Sequence, residues 1–144
     1  MTASPTALPH DEVIPVIDFG SQYAQLIARR VREAGAFSLL VHPSMSMDEL
    51  AAMEPKGVIL SGGPASVYED GAPGIDPQFF EKLDGVPVLG ICYGMQLACQ
   101  LLGCRINPAS RREYGRAALH IDDHHDLLAG VPESTTVWMS HGDQ

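Results

Sequence analysis

The chain has 144 residues, 45% of them hydrophobic, which is enough for one globular domain with a real core but not for two full domains. Eighteen acidic and nine basic side chains give a formal net charge of −9, which argues against nucleic acid or an anionic membrane surface as a partner. Because no apolar run reaches the ~18 residues of a membrane span and no secretion signal is recognisable, we expect a cytoplasmic protein that recognises a small molecule or another protein.

Short apolar runs alternate with amphipathic segments along the chain, which predicts alternating strands and helices. Residues 1–12 are rich in Thr, Ala, Ser and Pro, and we expect a flexible tail there. Residues 13–18 are predicted to form a strand. The following helix has apolar positions from Tyr23 to Ala34, and Gly35 is its stop signal.

The same alternation continues through the middle of the chain. Residues 37–41 and 57–60 are predicted strands, and Ser46 with Glu49 has the spacing of a capping box that begins a short helix. The loop that starts at Ser61 is rich in Gly and Pro.

Further elements follow this loop. Asp76 before Pro77 is typical of a helix N-cap and first helical position. The remaining predictions are a strand over 86–91, a helix over 95–102 that stops at Gly103, and later strands from Arg116 and Thr135.

This order of elements predicts an α/β fold with a mostly parallel sheet and helices on both faces. Such sheets place their chemistry in the loops at the carboxyl ends of the strands. Three loops are therefore candidates for a functional site: 18–22, 61–66 and 92–96.

The segment around Cys92 has the pattern Gly-x-Cys-x-Gly between a predicted strand and a predicted helix, which is typical of a nucleophile elbow. Gly90 and Gly94 allow the strand and helix to approach closely, and the nucleophile itself is expected to have a strained backbone. The positive end of the helix dipole favours the thiolate of Cys92. Tyr93 N–H and a donor from the loop at Ser61 are expected to form an oxyanion hole.

The other two cysteines, Cys99 and Cys104, lack the paired spacing of a zinc or redox motif. We interpret them as buried, inert and reduced thiols.

Several runs of sequence resemble one known family, the class I glutamine amidotransferases. Gly90, Cys92, Gly94 and Gln96 match its elbow pattern, Gly-x-Cys-x-Gly-x-Gln. Six runs look, in order, like the amidotransferase domain of GMP synthetases: Asp18–Tyr23, Ala28–Glu33, Ile59–Pro64, Cys92–Gln96, Arg112–Gly115 and Trp138–Asp143. The resemblance covers the chain from about Val13 to Gln144.

The resemblance implies a flavodoxin-like fold and a function. The function is hydrolysis of L-glutamine through a cysteine thioester, with the ammonia passed to an ATP pyrophosphatase domain or subunit that aminates XMP to GMP. It implies no cofactor for this domain, whereas ATP and magnesium belong to the synthetase. No metal site is assigned here.

The resemblance also implies roles for particular residues. Cys92 is the nucleophile, and Gly63 and Tyr93 supply the oxyanion donors. Gln96, Ser140 and His141 line the glutamine pocket, the last two mainly through backbone groups around the α-carboxylate of the substrate.

The family's catalytic His and Glu lie in a His-Pro-Glu segment well downstream of the Ser-His-Gly-Asp loop, whereas this chain stops at Gln144. We therefore expect residues 13–144 to be an incomplete amidotransferase domain that is inactive alone, since a cysteine nucleophile normally needs a base. His141 is a weak candidate for a substitute base.

Two alternatives stay open from the sequence. One is a non-catalytic, truncated module that binds glutamine or regulates a partner. The other is an amidotransferase of another pathway, such as anthranilate, aminodeoxychorismate or carbamoyl phosphate synthesis. The runs Phe19–Tyr23 and Met139–Asp143 favour GMP synthesis over the second alternative.

A segment rich in His and Asp, residues 120–126, has two histidines at helical metal-site spacing, His120 and His124. Because Asp is a poor helix former and a good turn residue, we interpret this segment as a solvated loop between two strands.

Overall fold

The computed structural model describes residues 12–65, 67 and 69–143, with side chains at all of these except 108–114 and 139–143. The chain divides after Arg105 into two compact units. The predicted tail, 1–12, lies outside the described residues except for Glu12, whose carbonyl accepts a 3.0 Å hydrogen bond from Phe37 N–H.

The first unit alternates strands and helices. Its elements are β1 (Val16–Ile17), α1 (Ala24–Glu33), β2 (Leu40–Val41), α2 (Met47–Ala52), β3 (Val58–Leu60), α3 (Phe79–Lys82), β4 (Val88–Gly90) and α4 (Tyr93–Leu101). No helix in the described part of the chain is long and apolar enough to cross a membrane.

The strands of this unit form one parallel sheet in the order β2-β1-β3-β4. The predicted parallel α/β fold is therefore confirmed. The strands are shorter than predicted: residues 13–18 contribute only Val16–Ile17 as a strand, and Val13 makes an isolated bridge to Phe37.

Successive residues of a strand point to opposite faces of the sheet. Apolar side chains cover both faces. Val16 and Ile59 pack with Ala28 of α1 on one face. Their strand neighbours Ile17 and Leu60 belong to the larger cluster on the other face, which includes Met47, Leu50, Phe79 and Leu97 of α2, α3 and α4. Helices on both faces were predicted and are found.

The helix ends show which local signals were reliable. Ser46 is the N-cap of α2, and its Oγ accepts a 3.1 Å hydrogen bond from Glu49 N–H. The Glu49 carboxylate accepts in return from Ser46 N–H, so the predicted capping box is confirmed. The prediction of Asp76 as N-cap and Pro77 as first residue of α3 was wrong by two residues, since the N-cap is Gln78. Asp76 instead accepts from Gln78 N–H at 2.8 Å in a turn, and the helix begins at Phe79.

The second unit is a hairpin of β5 (Pro108–His120) and β6 (Ser134–Asp143), which pair antiparallel. Strands near Arg116 and Thr135 were predicted, and both exist. They pair with each other in a sheet of their own rather than extending the parallel one. The interpretation of the His-rich segment as a loop between strands is confirmed, with one short 3-10 helix, Asp126–Leu128, before β6.

Candidate active site

The three candidate loops lie at one edge of the sheet, because each follows a strand of the adjacent parallel set β1-β3-β4. Two close approaches show that they touch. A Cβ built on Gly62 lies 3.6 Å from Cys92 Cβ and 4.0 Å from Ser21 Oγ, and one built on Gly20 lies 3.5 Å from Pro64 Cδ. The sequence-based grouping of these loops is therefore correct.

Cys92 occupies the sharp turn between β4 and α4. Its φ of 50° and ψ of −113° lie in a region that L-residues rarely adopt, so the predicted strained elbow is confirmed. The residue is the N-cap of α4, and its side chain is exposed. A sulfur in this position lies at the positive end of the helix dipole and is accessible to a substrate.

The two glycines of the elbow are required by close backbone packing. A Cβ on Gly90 would lie 2.5 Å from Met95 Cα and 2.7 Å from Met95 N. A Cβ on Gly94 would overlap the carbonyl of Leu60, with the carbonyl carbon only 2.6 Å away. The prediction that only small residues fit at these two positions is confirmed.

Backbone hydrogen bonds join the elbow to the neighbouring strand. Gly94 N–H donates to Ser61 O at 3.1 Å and to Ile91 O at 3.0 Å. Tyr93 N–H, at the first position of α4, has no acceptor among the described residues. A free amide next to the sulfur is what an oxyanion donor requires.

Gly63 packs against the loop 18–22. A Cβ at this position would lie 2.5 Å from Phe19 O and 3.2 Å from Phe19 Cβ, so only glycine allows this approach. Its N–H also has no acceptor among the described residues. The role of Gly63 as second oxyanion donor is compatible with this position and stays a prediction.

The Tyr93 side chain connects the elbow to the Gly- and Pro-rich loop. The residue is 3% exposed, and its ring packs on Phe19 with 5.3 Å between ring centroids. Its hydroxyl donates a short hydrogen bond to Pro73 O. Burial first, and then the negative charge of Glu69, raise the pKa of this hydroxyl.

This raised pKa gives a prediction for Tyr93→Phe. Near neutral pH, loss of the hydrogen bond should lower the free energy of unfolding by about 1 kcal/mol. In the wild type the Tyr93 hydroxyl stays protonated to a higher pH in the folded state than in the unfolded chain. Its contribution to the free energy of unfolding is therefore fully present below about pH 10 and is lost as pH rises further.

Urea unfolding at a series of pH values from 7 to about 11 should therefore show the difference between wild type and variant shrinking above about pH 10. The matched control is Tyr23→Phe, since Tyr23 is 59% exposed and its substitution should leave the free energy of unfolding near that of the wild type. A difference for Tyr93→Phe that is constant over the whole range would contradict the prediction.

Gln96 lies one turn into α4 and is 6% exposed. Its side-chain amide has no hydrogen-bond partner among the residues whose side chains are described. Buried amides are normally paired, so this group is available to bind a polar ligand.

Ser140 and His141 lie in β6, where Ser140 is opposite Tyr114 and His141 is opposite Glu113. Both belong to the second compact unit, whereas Cys92 belongs to the first. Their contribution to a glutamine pocket stays a prediction.

Comparison with known proteins identifies the family of this site. The family model for class-I glutamine amidotransferases matches residues 15–144. The chain belongs to this family. It is 54% identical over 132 residues to the GMP synthase (glutamine-hydrolysing) of Synechocystis sp., and 58% identical over 127 residues to that of Bifidobacterium longum.

These alignments cover 92% and 88% of this chain but 24% and 23% of the relatives, so the chain spans about a quarter of their length. A Thermoplasma acidophilum protein, described as one subunit of a GMP synthase, superposes with a TM-score of 0.77 at 28% identity, covering 94% of this chain and 67% of its own. A Thermotoga maritima glutamine amidotransferase superposes with a TM-score of 0.64 at 19% identity, over 94% of this chain and 62% of its own, which supports the fold.

No side chain that the structure describes hydrogen-bonds Cys92 Sγ. His42 follows β2 at the same sheet edge, but its Nδ1 pairs with Ser44 Oγ at 2.6 Å. His125 pairs with Asp123 in the second unit. Within the described part of the chain, no three His, Cys, Asp or Glu side chains are grouped so that they could hold a metal ion.

Sequence reasoning missed two features that support the elbow. The fully buried Ser61 accepts a 3.1 Å hydrogen bond from Phe19 N–H through its Oγ. This bond holds the loop 18–22 against the loop 61–66. A polar residue directly after an apolar strand was a usable signal for this contact. The Tyr93 hydroxyl had no such signal, because Pro73 lies in an irregular loop.

The interpretation of Cys99 and Cys104 as buried was wrong. Cys104 is exposed, and Cys99 is of intermediate exposure. Both lie at the end of α4, where the helix stops and the chain turns outward at Gly103.

Proposed function

We propose that this chain is the glutamine-hydrolysing part of a GMP synthase, with Cys92 as the nucleophile that takes the γ-glutamyl group. The observation that carries the proposal is the geometry of Cys92: an exposed sulfur in a strained turn at the start of α4, in contact with the glycine loop after β3. The similarity to glutamine-hydrolysing GMP synthases at 54% and 58% identity supports the choice of pathway over other amidotransferases.

The proposed reaction has two steps. Cys92 Sγ attacks the carboxamide carbon of glutamine, the carbon–nitrogen bond breaks, and ammonia leaves with the proton that a general acid returns to it. Water then attacks the thioester and releases glutamate. In both steps negative charge develops on the former carboxamide oxygen, and the N–H groups of Tyr93 and Gly63 are the proposed donors to it.

The pocket for the rest of the substrate follows from the same proposal. The buried amide of Gln96, which has no hydrogen-bond partner among the described side chains, would bind a polar group of glutamine, because leaving such an amide unsatisfied is costly. Backbone groups around Ser140 and His141 would bind the α-carboxylate. No cofactor or metal has a role in this hydrolysis.

The proposed general base is the His-Glu pair that the family resemblance implies, since no side chain that the structure describes hydrogen-bonds the sulfur. The proposed partner is an ATP pyrophosphatase domain or subunit that uses the ammonia to aminate XMP with ATP and magnesium. The three thiols are unpaired, which is in keeping with a reducing cytoplasm as the place of the reaction.

The proposal predicts selective labelling by a glutamine-mimicking diazoketone. The reagent should add to Cys92, because only that thiol lies at a site built for glutamine. Peptide mass spectrometry should place one adduct on Cys92, and an excess of L-glutamine should slow its formation. Iodoacetamide, which does not resemble glutamine, should also label the exposed Cys104.

Cys92→Ala is the control and should take up no diazoketone while keeping the circular dichroism of the wild type. Equal labelling of Cys104 and Cys92 by the diazoketone, or labelling that glutamine does not slow, would count against the proposal. A Cys92 adduct that glutamine prevents, without ammonia release even in the longer enzyme, would instead support the non-catalytic glutamine-binding module.

A further inference from the structure

The C-terminal end of α4 has a specific hydrogen-bond pattern. Cys104 N–H donates to Cys99 O at 2.8 Å, and Gly103 N–H donates to Gln100 O at 3.1 Å, with Gly103 at a φ of 86°. These two bonds and the left-handed glycine define a Schellman motif, in which Cys99 is the third residue from the helix end and Cys104 the second residue after the cap.

This motif brings the two cysteine side chains together. In Schellman ends the side chains at these two positions commonly contact each other. The nearby thiol of Cys104 is, after burial, a cause of the raised pKa of Cys99. Helix α1 ends in the same way, with Ala36 N–H donating to Val31 O at 3.4 Å and Gly35 N–H to Arg32 O at 3.0 Å, but the corresponding pair there is apolar.

Cys92 is excluded from pairing with Cys99 by the helix between them. The two residues are at opposite ends of α4, and at 1.5 Å per residue the helix separates them by about 10 Å. A disulfide requires Cα atoms roughly 4.4–6.8 Å apart. The dithiol at the end of the helix is therefore separate from the elbow.

We propose that Cys99 and Cys104 are a redox-active dithiol site, oxidised by a low-molecular-weight disulfide to an intramolecular disulfide that leaves Cys92 reduced. The exposed Cys104 thiolate attacks one sulfur of the oxidant, and a first small thiol leaves. Cys99 then attacks the mixed disulfide at Cys104 and releases the second small thiol. Two protein thiols are oxidised and one small disulfide is reduced to two thiols, so electrons and protons balance.

The order of attack follows from exposure. Cys104 is open to solvent and Cys99 only partly so. Because burial raises the pKa of the Cys99 thiol, its attack on the mixed disulfide should accelerate as pH rises.

The test is to incubate the folded chain with oxidised glutathione and then block the remaining thiols. Titratable thiols should fall from three to one. The intact mass should be lower by two hydrogen atoms before blocking, and peptide mapping should find Cys99 joined to Cys104 with Cys92 blocked. In Cys92→Ala the same treatment should leave no titratable thiol, and reduced glutathione in excess should reverse it.

A position-shifted variant is the matched control. Cys104→Ser combined with Arg105→Cys keeps the number of thiols and moves one of them out of the Schellman position. It should form no intramolecular disulfide under conditions in which the wild type is fully oxidised. Retention of all three thiols in the wild type, a stable glutathione adduct at Cys104, a disulfide that includes Cys92, or equal oxidation of the shifted variant would each overturn the proposal.

Discussion

If this chain is the glutamine-hydrolysing part of a GMP synthase, as proposed, Cys92→Ala should reduce glutamine-dependent amination by that synthase at least a thousandfold, while ammonia-dependent amination continues. The reason is that no other thiol is at the elbow: Cys99 and Cys104 lie at the far end of α4. Loss of the nucleophile in a catalytic triad costs up to about 10⁶ in kcat, so a thousandfold loss is a cautious lower limit. The measurement compares GMP formation from glutamine and from an ammonium salt.

A second substitution separates chemistry from folding. Cys92→Gly should lose the same activity but raise the free energy of unfolding, because glycine adopts a φ of 50° without the ~1–3 kcal/mol of strain that a side chain carries there. Cys99→Ala is the positional control and should keep glutamine-dependent amination. Substantial glutamine-dependent amination by Cys92→Ala would refute the assignment of the nucleophile.

The elbow was predictable because its signals are local. A strand, a turn with glycine on either side of Cys92, and a helix follow each other directly, so the pattern implies both the turn and the exposure of the sulfur. The capping box at Ser46 was predictable for the same reason, since both of its hydrogen bonds join residues three apart.

The features that sequence reasoning missed depend on distant partners. Asp76 has the chemistry of an N-cap, but Phe79 is fully buried in the core, and the helix starts there instead. Arg116 and Thr135 lie in strands as predicted, yet the pairing of these two strands, β5 and β6, with each other depends on register across a long loop. Apolar patterning specifies that a strand exists but not which neighbour it pairs with.

The same distinction applies to the candidate site. The glycine loop and the elbow could be grouped from sequence, because adjacent parallel strands present their loops at the same edge. The hydrogen bond from the Tyr93 hydroxyl to Pro73 O could not be predicted from sequence, because it spans an irregular loop with no periodic pattern. Distances from Cys92 to Ser140 and His141 depend on how two separate compact units are arranged, which local patterning does not specify.

Gly94→Ala is the substitution expected to cost the most stability, and two effects of opposite sign determine the result. Gly94 is in the first turn of α4, where replacing glycine by alanine should gain up to about 1 kcal/mol of helix propensity. Against this, the new Cβ would overlap the Leu60 carbonyl, with the Leu60 Cβ only 2.7 Å away. Because this contact is mainly backbone of a buried strand, rotamer changes cannot relieve it.

Overpacking in a close-packed interior typically costs about 1–3 kcal/mol and more where backbone must move, so the clash should outweigh the propensity gain. Thermal unfolding should show a midpoint lowered by at least several degrees. Gly74→Ala is the matched control, since its Cβ would meet open space and its φ is not left-handed, and its midpoint should be unchanged or slightly raised.

If Gly94→Ala still folds, α4 must have moved away from β3, and the elbow must have moved with it. Gly94 N–H donates a 3.1 Å hydrogen bond to Ser61 O. A shift of α4 would therefore displace Tyr93 N–H and Cys92 relative to the glycine loop. Diazoketone labelling of Cys92 should then be slowed even in the folded fraction. Equal midpoints for Gly94→Ala and Gly74→Ala, together with unchanged labelling, would mean that close packing of the elbow on Leu60 is not required for its function.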